Sequence, residues 1–154
     1  MTMTKLTIDY VALVETTRLL QASTHSECVL LWLAAREGQN LTVKEVYRPA
    51  QRTSADYFEI PRESMAAIMA RLRTHSLSIA AQVHTHPDRA FHSAADERWA
   101  IVRHVGALSV VIPNFARNTR PEDLFDRSAI FRLDEQGRWQ QMASATDVLT
   151  VRGP

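Results

Sequence analysis

Between Gln82 and Glu97 the chain reads QVHTHPDRAFHSAADE, placing three histidines, a serine and three carboxylates within a short stretch that follows an apolar run. An ionisable group buried without a partner costs several kcal/mol, roughly, and a bound cation removes that penalty. His84 and His86 stand at i and i+2, so on a strand both imidazoles leave the same face, about 6 to 7 Å apart at their origins. Two such ligands can meet one ion. A catalytic zinc site takes three protein ligands and keeps its fourth position open. Asp96 is the natural third: if a helix starts at Ser93, Asp96 lies one turn in, pointing back toward the chain that delivers the histidines. Zinc lowers the pKa of a bound water from ~15.7 to ~7, and a base must then carry the proton to the leaving group, for which glutamate is the expected type.

The rest of the composition bounds what such a site can serve. At 154 residues the chain is most simply one domain over 1–154, too short for a barrel of eight βα units. It is 45% hydrophobic and 23% charged, with 18 basic against 17 acidic residues, so a net charge of +1 gives no reason to expect a nucleic-acid partner. The single cysteine, Cys28, excludes an internal disulfide and a multi-cysteine zinc site and favours a reducing compartment, by default the cytoplasm. No apolar stretch is long enough to cross a bilayer, and MTMTKLTIDY lacks the layout of a secretion signal, so no membrane is expected as partner.

The elements that must position these residues follow from periodicity. Asp9 can cap a helix to about Ala22 with Tyr10, Leu13, Val14, Thr17 and Leu20 on one face. ECVLLWLA (27–34) is a buried strand, and after the turn REGQN the alternating LTVKEVYRP makes a hairpin with it. AQRTSADYFEIP is irregular. RESMAAIMARLRTHS is a helix with Met65, Ile68, Met69 and Leu72 on one stripe, and LSIAAQVHTH (77–86) is a buried strand ended by Pro87. Ser93 begins a third helix with Ala95, Trp99 and Val102 on one face. ALSVVIPNF is a strand, a polar loop runs from Ala116 to Asp126, and SAIFRLDEQGRWQQM is two short strands around Glu135, Gln136 and Gly137. The order α β β α β α β β β predicts an α/β domain with a mixed, largely antiparallel sheet carrying helices.

ECVLLWLA, then HTHP, then SAAD in this order resemble the JAMM/MPN metallopeptidases, whose pattern is Glu, a gap, His-Ser/Thr-His-Pro, a gap, Ser-x-x-Asp. The resemblance covers Glu27 to about Phe131. It implies a curved sheet flanked by helices, in a layout like that of the cytidine deaminases. It also implies zinc at His84, His86 and Asp96, Glu27 as general base and Ser93 as oxyanion donor. The implied activity is that of an isopeptidase cutting after the C-terminal glycine of a ubiquitin-like protein. QVHTHP with AFHS, and the tryptophan in ECVLLWLA, look like the compact bacterial members encoded beside ubiquitin-like proteins and their activating and conjugating enzymes, in antiphage cassettes of the Bil or CBASS kind. Release of a sulfur-carrier protein from an adduct uses the same chemistry. A metal-free MPN scaffold is the non-enzymatic alternative, and such members typically lack one or more of the ligands present here. Two departures stand out. Five residues, DRAFH, separate Pro87 from Ser93 where the family usually has six, and Leu30 stands where the family's strand usually has glycine.

Each residue also has a plainer reading. A His-x-His occurs in cupins, amidohydrolases and phosphoesterases too, though zinc deaminases need a Pro-Cys-x-x-Cys that one cysteine cannot supply. Ser-x-x-Asp is equally a helix-start pattern in which Ser93 caps orphan amides. His92 or Asp88 could replace Asp96 as ligand, whereas His25, His75 and His104 fall outside any ligand spacing. Trp32, Trp99 and Trp139 read as packing, and Cys28 as a buried small side chain. Segments 50–61 and 113–126 either line a substrate groove or are plain connections.

Overall fold

The computed structural model describes residues 5–91 and 101–153. In chain order the elements are β1 (Leu6–Asp9), α1 (Tyr10–Gln21), β2 (Val29–Glu37), β3 (Asn40–Tyr47), β4 (Arg52–Thr53), β5 (Phe58–Glu59) and α2 (Arg62–His75). Then come β6 (Ser78–Thr85), β7 (Leu108–Ile112), α3 (Leu124–Arg127), β8 (Ala129–Leu133), β9 (Trp139–Gln141) and β10 (Leu149–Arg152). Eight strands form one sheet in the order β10-β1-β3-β2-β6-β7-β8-β9, and β4 and β5 pair separately. β1 runs parallel to both β10 and β3, and β6 parallel to β7; the other four neighbour pairs are antiparallel. The class is α/β with a mixed, curled sheet. The expected helix from Ser93 lies outside the described residues except at its end. There Val102 is buried but not helical, and the neighbouring Ile101 N–H donates to Gln82 Oε1 at 2.9 Å.

The sheet buries both faces. On one, Cys28, Leu30 and Trp32 of the β2 segment join Val83, Val110 and Ile112 under Leu13 and Leu20 of α1. On the other, Leu31 and Leu33 meet Ile68 of α2. Alternation along β2 therefore feeds two cores at once, which is why it reads as a continuous apolar run. The register shifts between Trp32 and Leu33 against β6, and between Leu33 and Ala34 against β3, mark bulges in this central strand.

Several local features differ from those expected. Asp9 holds the N-cap position of α1 without capping it, because register places it opposite Arg152 of β10, whose Nε it accepts at 2.9 Å. The inner face of α1 is Leu13, Thr16, Thr17 and Leu20, whereas Val14 is 42% exposed. Trp32 decides this: its indole N–H donates to Thr16 Oγ1 at 3.0 Å, and that hydroxyl donates to Ala12 O. Met69 likewise faces outward, while α2 buries Ser64 and Ile68. The irregular stretch before α2 contains the β4–β5 hairpin, and the Ala116–Asp126 loop contains a short helical turn leading into α3. Two hairpin turns take their positive φ at glycine: Gly38 between β2 and β3, and Gly137 between β8 and β9. Asn114, Phe115 and Ala116 adopt that region without being glycine, at roughly 1–2 kcal/mol each.

Leu30, the departure from the glycine pattern, is fully buried against the α1 side. Leu30→Ala is expected to destabilise the fold by roughly 2–5 kcal/mol, read as a shifted urea midpoint. The histidine face lies on the other side of the sheet, so its metal stoichiometry should not change.

Candidate metal centre

The central register builds the site. Val29 of β2 lies opposite His84 of β6. One step on, the Thr85 N–H donates to Cys28 O at 3.1 Å and the Cys28 N–H donates to Thr85 Oγ1 at 3.1 Å. The next step sets Glu27 against His86. Since opposed residues share a face and faces alternate, Glu27, Val29, His84 and His86 all point to one side, away from α1. All three ionisable groups are buried, with 5% of Glu27, none of His84 and 3% of His86 exposed. The two imidazole centroids are 5.2 Å apart with the rings tilted by 52°. Phe58 of β5 packs 5.5 Å from the His84 ring, and Phe91 meets His86 edge-on at 4.6 Å. Leu30 points to the opposite face, so its bulk does not crowd the histidines.

Glu27 is placed by a device the sequence does not announce. β3 stops pairing with β2 at Tyr47 opposite Leu31. The side-chain amide of Gln51 then takes over the vacated edge: its Oε1 accepts the Val29 N–H at 2.9 Å and its Nε2 donates to Val29 O at 2.9 Å. Beyond it the Glu27 N–H donates to Ser54 O at 2.7 Å. Segment 50–61 therefore completes the strand that carries Glu27 and, through Phe58, contacts His84. A glutamine in an irregular stretch gives no advance signal of this role.

His86 is fixed from the other side. Its N–H donates to Ile112 O at 2.8 Å, and its carbonyl accepts the Phe115 N–H at 2.9 Å. Ser93, Asp96, His92 and Trp99 lie outside the described residues. Among the described residues, no three His, Cys, Asp or Glu side chains gather closely enough to hold a metal. Asp88 is exposed, and so are His75 and His104. Trp32 is core, Trp139 is half-buried against Phe131 and Val111, and Cys28 is buried beneath α1. A cavity of about 590 Å³ between β8, β9 and β10 is lined by none of Glu27, His84 or His86.

Two buried imidazoles side by side are a pair of nitrogen donors that suits zinc or a similar divalent ion, and a third ligand has to come from elsewhere in the chain. The described chain on both sides of 92–100 is tied to this face, by Phe91 on His86 and by Ile101 on Gln82. No helix among the described residues is long and apolar enough to cross a membrane.

The fold is shared more widely, and so is the sequence. The chain is similar over 97% of its length to the solution structure of protein DSY2949 from Desulfitobacterium hafniense, with a TM-score of 0.69, 16% identity and 94% of that chain covered, which shows a common fold. In sequence it is 34% identical over 131 residues to the protein named "Probable metalloprotease y4jG" of Sinorhizobium fredii (strain NBRC 101917 / NGR234), across 81% of this chain and 79% of that one. The chain belongs to the family of that protein. No family model matches it.

Gln51→Ala removes both partners of the Val29 peptide and is expected to cost about 1–3 kcal/mol of stability for the groups left unpaired. It should also loosen Glu27, so the variant loses activity at temperatures where it remains folded, as checked by melting curve and rate on one preparation.

Proposed function

We propose that the chain is a peptidase of the JAMM/MPN type that takes zinc at His84, His86 and Asp96 and hydrolyses the bond after the C-terminal glycine of a ubiquitin-like protein. The carrying observation is the burial of Glu27, His84 and His86 on one sheet face, in a chain whose relative is named a probable metalloprotease. The anchoring of residues 91 and 101 at the same face supports Asp96 as the third ligand. The Ser-x-x-Asp spacing supports Ser93 as a donor to the developing oxyanion.

When bound, the metal supplies Lewis acidity and makes water a competent nucleophile near neutral pH. The chain's own residues do the rest. The Glu27 carboxylate takes a proton from the attacking water as the new C–O bond forms, and returns it to the leaving nitrogen as the C–N bond breaks. Its burial at the strand edge keeps bulk water from exchanging that proton. Phe58 and Phe91 pack against the two imidazoles, and bulky rings beside the reacting groups favour a tail of glycines over larger side chains. The resemblance of QVHTHP with AFHS, and of the tryptophan in ECVLLWLA, to the compact bacterial members supports a bacterial ubiquitin-like substrate, with activating and conjugating enzymes as neighbours in antiphage defence.

The test is a gel assay with a ubiquitin-like protein extended beyond its terminal glycine, with and without a chelator. Chelator-sensitive cutting at the glycine is expected. Glu27→Ala should retain zinc and lose roughly 10² to 10⁴ in rate. An active Glu27→Ala removes Glu27 from the mechanism, and a zinc-loaded protein that cuts only a sulfur-carrier adduct reassigns the substrate.

A further inference from the structure

Asn114, Phe115 and Ala116 have φ values of 55°, 52° and 60°. Three successive L-residues in the left-handed region are rare, and such strain persists only where the surroundings over-determine it. Here the surroundings do. The Phe115 N–H donates to His86 O and the Asn114 N–H to Asp88 O, each at 2.9 Å. The Phe115 ring is buried, and Gln21 at the end of α1 donates its Nε2 to Ala116 O at 3.0 Å and to Thr119 O at 2.7 Å.

The geometry explains why the strain is retained. Successive N–H groups of an extended strand point to opposite sides, so a straight continuation of β7 could not deliver two adjacent amides to one neighbour. The left-handed turn aims both at the same strand end, one on each side of Pro87. With the His86 N–H already on Ile112 O, the peptide groups around the second histidine are clamped on both sides.

We propose that the left-handed turn Asn114–Ala116, held by Gln21, is the positioning device for His86, fixing its imidazole beside His84 before any metal arrives. The role as a ligand mount rests on the metal reading above; the positioning itself does not. Gln21 acts only through the turn, because its amide contacts the Ala116 and Thr119 carbonyls.

The test compares Asn114→Gly, which keeps the amide and relieves the strain, with Asn114→Val, a β-branched residue poorly suited to this φ, and with Gln21→Ala. Cobalt(II) affinity and the imidazole resonances of the metal-free protein are measured on each. Asn114→Gly should stay within about twofold of the parent affinity. Asn114→Val and Gln21→Ala should each weaken cobalt(II) tenfold or more and move the His86 ring resonances while leaving those of His84 in place. If Asn114→Val does not fold, Gln21→Ala carries the test alone. Gln21→Ala with the parent's His86 resonances and cobalt(II) affinity overturns the proposal. A parent that binds no cobalt(II) defeats the metal reading, and the metal-free His86 resonances still decide the positioning.

Discussion

The antiparallel register of β2 on β6 is the constraint from which the site follows. With Val29 opposite His84, Glu27 and both histidines share a face. A one-residue slip would send the imidazoles into the apolar layer under α1. The chain defends this register at the end of the strand pair. Thr85 ties its own amide and hydroxyl to Cys28, Gln51 substitutes for the missing β3 partner, and Ser54 holds Glu27. Because both cores depend on the same alternation, the apolar packing of Leu30 and Leu31 on opposite sides penalises slippage along the whole strand.

The histidine face is polar where a sheet interior is normally not. Gln82 donates to Ser109 Oγ at 3.3 Å and accepts the Ile101 amide, so this row of β6 continues into His84 and His86 as a line of buried polar side chains. Burying such a row costs stability unless each member is satisfied, and strained or polar interiors in natural proteins concentrate at functional sites. The left-handed turn after β7 and the polar row of β6 meet at His86, which places both departures from ideal packing at one residue.

Much of this was legible in the sequence. The long apolar run of β2, the strand ending at His-Thr-His-Pro and the two amphipathic helices have periods long enough to read. The histidine pair follows from spacing alone. What escaped is non-local. β1 and β10 alternate over only four residues each, Leu6 and Ile8 on one and Leu149 and Val151 on the other, and they exist as strands because they pair with each other in parallel. The face of α1 turned on one tertiary hydrogen bond from Trp32. Gln51 earned its place from an edge left open by another strand, and the left-handed turn from carbonyls on a different segment; neither leaves a periodic trace.

The central claim is that the Glu27 face is a metal site. X-ray absorption at the zinc edge of the zinc-loaded protein, with metal content measured alongside, tests it most directly. One zinc per chain with two imidazoles and oxygen donors, losing an imidazole in His84→Ala and again in His86→Ala, is the predicted result. A folded protein that holds no zinc, or whose zinc signature survives loss of both histidines, would contradict the account.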